Sequence, residues 1–109
     1  MLHTIGKFTL HNDGWFVCKG KVAYEDDDGQ TIITEAETGG ILLNGIGDVD
    51  PGALGVADGT KIWLHVDIAG GNDPQASQAF LYGAGSPRTA NYNISGVTFS
   101  NRLGLLSIT

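Results

Sequence analysis

Apolar residues recur at every second position along much of this chain, a period that belongs to strands rather than helices. Residues 60–69 show it most clearly. There Ile62, Leu64, Val66 and Ile68 face one way, and Lys61, Trp63, His65 and Asp67 face the other. Residues 15–25 repeat the pattern, with Phe16, Cys18, Val22 and Tyr24 opposed to Lys19, Lys21 and Glu25. Trp15 and Val17 open the otherwise polar side of that strand, where an end of the core or a partner would meet them. In residues 88–95, Ala90, Tyr92 and Ile94 alternate with Thr89, Asn91, Asn93 and Ser95.

Weaker strands are expected at residues 4–10, 30–36 and 76–82, and from Val97 to Ile108 with a break at 101–104. The short apolar run Ile41-Leu42-Leu43 suits a strand inside the fold. Turn chemistry separates these pieces, because Asn, Asp and Gly tolerate left-handed backbone angles. It is dense at residues 11–14, at Gly70-Gly71-Asn72-Asp73-Pro74, and at 25–29, where Asp-Gly between two strand-like runs predicts a hairpin. Residues 44–59 read as the longest loop, pinned by Val49, Leu54 and Val56. Turn signals at spacings of about 8–12 residues predict one all-β domain over residues 1–109. The expected form is an antiparallel β-sandwich of roughly seven to nine short strands, Ig-like or jelly-roll-like, with a small barrel as the alternative.

Composition agrees with that pattern. Seventeen glycines in 109 residues disfavour long helices and suit many tight turns. A chain of this length buries a core without staples, and the single cysteine, Cys18, allows no internal disulfide. No run approaches the roughly 20 apolar residues of a membrane span. The start of the chain lacks the apolar stretch and cleavage site of a leader. The expected setting is therefore the cytoplasm, or export without a recognisable signal peptide.

Charge narrows the partners. A net charge of −6 with six scattered basic residues argues against nucleic acid and anionic membrane surfaces. Neutral glycans or protein partners remain.

Catalytic signals are weak. No Gly-x-Ser-x-Gly elbow is present, and Cys18 sits on a core-facing side, where an inert buried thiol is the commoner case. His3, His11 and His65 fall in separate segments without zinc spacing. Asp48 and Asp50 resemble the start of a calcium loop but lack its glycine spacing and terminal glutamate, so turn chemistry explains them better. Asn93-Ile94-Ser95 matches the glycosylation pattern, which carries little weight without a leader.

Three groups are candidate ligand contacts, and each has a plainer explanation. Trp63, His65 and Asp67 line one strand face, where an indole, an imidazole and a carboxylate suit a sugar; cover by a loop or a second protomer is the plainer explanation. Asn91 and Asn93, with Thr89 and Ser95, form a neutral hydrogen-bonding ladder, or simply a solvated sheet face. Asn72 and Asp73 project from a turn, or only build it. The expectation is a non-catalytic, lectin-like carbohydrate-binding module without a cofactor or metal. The runner-up is an interaction protein that self-assembles into a homo-oligomer or docks a partner through exposed aromatics and uncharged strand edges, or a β-sandwich toxin component.

Overall fold

The computed structural model describes residues 2–109. Nine strands run in order: β1 (Thr4–Ile5), β2 (Lys7–Gly14), β3 (Cys18–Glu25), β4 (Thr31–Ile33), β5 (Ile46–Val49), β6 (Lys61–Ile68), β7 (Phe80–Tyr82), β8 (Thr89–Val97) and β9 (Ser100–Ile108). They form a five-stranded sheet, β1-β7-β6-β3-β4, and a four-stranded sheet, β5-β2-β8-β9. The described residues contain no helix, and hence none long and apolar enough to cross a membrane.

Alternation decides what the two sheets bury. Even-numbered positions of β2, β6 and β8 turn inward, so that Phe8, Leu10, Ile62, Leu64, Val66, Ala90, Tyr92 and Ile94 fill one core between the sheets. Phe8 stands edge-on to both Phe80, at 5.8 Å, and Tyr92, at 5.9 Å. Edge-on aromatic pairs contribute about 0.5–1.5 kcal/mol beyond the area they bury.

A β-sandwich is observed as expected, though not a purely antiparallel one, and the hairpin at 25–29 joins β3 to β4 in antiparallel register. Two pairings are parallel, β1 with β7 and β2 with β8, so the sheets are mixed in direction. Four local expectations are corrected. Residues 11–14 are not a turn but the end of β2. Asn12 and Gly14 there are buried: the Asn12 amide finds backbone partners, and Gly14 leaves room for the ring of Phe16 folded over it. Residues 44–59 are not wholly loop, since β5 pairs along β2 from Phe8↔Val49 to His11↔Ile46. Ile41 to Leu43 is not an inner strand. Ile41 alone bridges to Cys18, while Leu42 and Leu43 are exposed. At the end of the chain, β8 and β9 form a hairpin around Thr98 and Phe99, and β9 is continuous through residues 101–104.

Candidate functional site

The sequence-selected residues lie on opposite outer faces of the sandwich, so they do not make one site. Trp63, His65 and Asp67 share the outer face of the five-stranded sheet, as alternation predicts. Trp63 stands opposite Ala23, which has Ile33 on its other side, and Lys61 Nζ sits 5.2 Å from the indole centroid. A cation over the ring contributes about 0.5–1 kcal/mol. His65 is only 7 % exposed, because Gln75 crosses it and places Oε1 3.1 Å from Nδ1. The imidazole is thus engaged by Gln75 inside the fold. Asp67 lines a small cleft of about 180 Å³ with Val17, Lys19 and Ala69. Partial burial, and then the neighbouring Asp73 carboxylate, push its carboxyl above the usual range.

Asn72 and Asp73 are braces rather than a free loop tip. The Asn72 side chain donates to the Phe99 carbonyl at 3.0 Å, its backbone N–H donates to the Thr98 carbonyl at 3.3 Å, and Asp73 accepts from the Ile68 N–H at 3.3 Å. Asn91 and Asn93 occupy the outer face of the other sheet, and their neighbours occupy their polar atoms. Thr9 donates to Asn91 Oδ1 at 2.7 Å, Asn91 donates to Ser107 Oγ and Thr109 Oγ1, each at 3.1 Å, and Asn93 donates to Asp13 Oδ2 at 3.1 Å. The acidic pair is equally engaged: Asp48 meets Lys7 at 3.2 Å, and Asp50 accepts from the Gly52 N–H at 3.0 Å. Among the described residues, no group of three or more His, Cys, Asp and Glu side chains is placed to hold a metal ion.

One end of the sandwich has the opposite character. Trp15 is 75 % exposed, Phe99 71 % and Val97 51 %. The backbone explains their proximity. Gly14 is in register with Gly96, the Trp15 N–H donates to the Gly96 carbonyl at 2.9 Å, and Val97 then leads into the two-residue turn that carries Phe99. Gly96 holds φ at +103°, and a Cβ there would meet the Ser100 carbonyl, so only glycine suits the approach to that turn.

The end is braced from below. Thr98 accepts from Asn72 and from the Asn101 side chain, while the Ala69 N–H donates to the Val17 carbonyl at 3.1 Å. Two large aromatic side chains are thus held out on a fixed frame. The position of Trp15 on a polar strand face was the only hint in the sequence; Phe99 gave none, because it reads as part of a strand.

No protein-family model matches the chain, and no curated protein matches it. Among solved structures, listeriolysin O resembles it at 15 % identity and a TM-score of 0.47, over 93 % of this chain and 22 % of that one. A structure described as a trapped toxin gives 17 % identity and a TM-score of 0.45, over 93 % of this chain and 23 % of the other. A Gram-negative toxin gives 14 % identity and a TM-score of 0.40, over 94 % and 23 %. The chain therefore spans less than a quarter of the length of each of these three proteins.

Proposed function

We propose that this chain is a non-catalytic docking module that holds a partner protein against its exposed aromatic end. The observation that carries the reading is the pairing of Trp15 and Phe99, both largely exposed, on adjoining braced turns. Side chains of this size favour burial by about 1.5–3 kcal/mol each, and a tryptophan is a common energetic anchor of interfaces. Exposed together, they form a surface whose free energy falls when a partner covers it. A toxin component would use such a surface in the same way, to dock.

Carbohydrate binding at Trp63 has less support, because Lys61 sits over the indole and Gln75 holds His65. A photoreactive phenylalanine analogue placed at position 99, and separately at position 63, compares the two surfaces directly. Adducts in the source cells are expected from position 99 and not from position 63. Adducts from 63 alone, or a glycan array signal abolished by Trp63→Ala, would replace this reading.

A further inference from the structure

The second surface without a partner is the edge of the four-stranded sheet, β9. The strands β2, β3, β6 and β8 each bury alternate residues, but β9 buries none. Leu103, Leu105 and Ile108 only partly reach the core, and Leu106 is 61 % exposed. The charge distribution sets this flank apart. All twelve acidic side chains lie from Asp13 to Asp73, while the chain beyond Asp73 carries Arg88, Arg102 and no acid. Elsewhere, two copies of a chain with net charge −6 would bring acid towards acid. Of the other edges, β1 has two residues, β4 lies between the acids of 25–28 and Glu35, and β5 carries Asp48. A long, acid-free, half-buried edge is a template for an added strand.

We infer that a second copy of this chain pairs antiparallel along β9, about a two-fold axis at Leu103, joining the two four-stranded sheets into one. The ladder dictates the register. Thr89 and Thr109 exchange both backbone hydrogen bonds, while on the other side of β8 the Gly96 carbonyl accepts from Trp15. Odd positions of β8 therefore turn their backbone groups towards β9, and even positions turn theirs towards β2. Asn101, Leu103 and Leu105 stand opposite Gly96, Ile94 and Tyr92, so their own N–H and C=O groups point outward. The bulge opposite Asn91 and Tyr92 ends this regular stretch. An axis at Leu103 uses all of it, pairing Asn101 with Leu105 and Leu103 with its copy. Arg102 then lies opposite Gly104 of the other copy. An axis at Arg102 would set two guanidinium groups directly opposite each other.

Gly104 provides the test, because its φ is not positive and a Cβ there would meet only Asn93 Oδ1, at an ordinary 3.6 Å. Either charge at this position leaves the monomer folded. In the pair, Gly104→Lys opposes Arg102 of the other copy and Gly104→Glu attracts it. Sedimentation velocity of the purified full chain, from about 1 µM to about 1 mM, spans the range expected of a modest interface. The expected result is a concentration-dependent dimer, weakened at least about tenfold by Gly104→Lys, and retained or tightened by Gly104→Glu. Arg102→Glu combined with Gly104→Lys should restore it, and Trp15→Ser with Phe99→Ser should leave it intact. A wild-type monomer throughout, or equal effects of the two Gly104 substitutions, overturns the inference. So does a dimer lost only when Trp15 and Phe99 are replaced. A dimer that survives replacement of Trp15 and Phe99 leaves the docking reading of the aromatic end to be judged by its own cross-linking result.

Discussion

The buried side chain of Asn12 joins the two sheets by donating to the carbonyl of Ile41 at 2.9 Å, on the segment that bridges to Cys18. The same amide nitrogen donates to the Phe16 carbonyl at 2.7 Å, and its oxygen accepts from the Gly14 N–H at 2.9 Å. One side chain thus fixes the end of β2, the turn that carries Trp15, and the strap along the other sheet. Asn12→Ala leaves the Phe16 carbonyl and the Gly14 N–H without their partner, while the Ile41 carbonyl keeps the Cys18 N–H at 3.2 Å. A loss of about 2–4 kcal/mol is expected, since each unsatisfied buried group costs about 1–3 kcal/mol. Urea unfolding monitored by tryptophan fluorescence checks this, with Asn12→Leu as the companion variant. If the loss reflects hydrogen bonding rather than volume, leucine will destabilise at least as much as alanine.

That relationship also shows where reading the chain alone runs out. Period-two alternation revealed β6 and most of β3 and β8, because apolar side chains filled the inward positions. In β2 the inward positions near the end hold Asn12 and Gly14 instead, both turn formers. Local preference favoured a turn, and tertiary hydrogen bonds to Phe16 and Ile41 decided for a strand. The short β5 was hidden for a related reason: Ile46-Gly47-Asp48-Val49 has one buried residue and gains its pairing from β2. For the site, alternation correctly placed Trp63, His65 and Asp67 on one face. It carried no information on Gln75, which folds back from the segment directly after β6 and covers His65. The exposure of Phe99 depends on a turn at Thr98 and Phe99 that only the pairing of Val97 with Ser100 defines.

Tyr92 gives a substitution expected to help. Its ring packs against Phe8 in the core, yet its hydroxyl is buried with no hydrogen-bond partner among the described residues. Burial pushes that phenol up to about 12, as befits a group that has lost water and gained nothing polar. Tyr92→Phe keeps the ring contacts and removes the orphaned oxygen. The expected outcome is a gain of about 0.5–2 kcal/mol in unfolding free energy, the cost range of an unmet buried polar group. Denaturant melts at a matched slope measure it. A loss of more than about 1 kcal/mol would show that the hydroxyl has an ordered water partner.

Alkaline pH should destabilise the fold through buried groups that hold their protons, Cys18 first and then Tyr92. Burial raises the Cys18 thiol from 9.0 to about 11, and the Tyr92 phenol from 10.0 to about 12. In each case the folded state holds its proton after the unfolded chain has released one. The unfolded chain therefore binds fewer protons in these windows, and stability falls as pH rises. The contribution is fully present below about pH 9. It declines from pH 9 to 11 for Cys18 and from pH 10 to 12 for Tyr92, by at most about 1.4 kcal/mol per pH unit for each group. Urea unfolding at intervals from pH 8 to pH 11 should show the decline beginning near pH 9 in the wild type. Cys18→Ala starts from a lower stability because it leaves a small void, yet its curve should stay flat to about pH 10. Adding Tyr92→Phe should reduce the remaining slope, leaving the part due to Tyr82, whose phenol is also raised by burial and then by the Asp50 carboxylate. A wild-type curve level to pH 11 would mean that the Cys18 thiol ionises in the folded protein as freely as in the unfolded chain, and that the core around the Cys18–Ile41 bridge admits water.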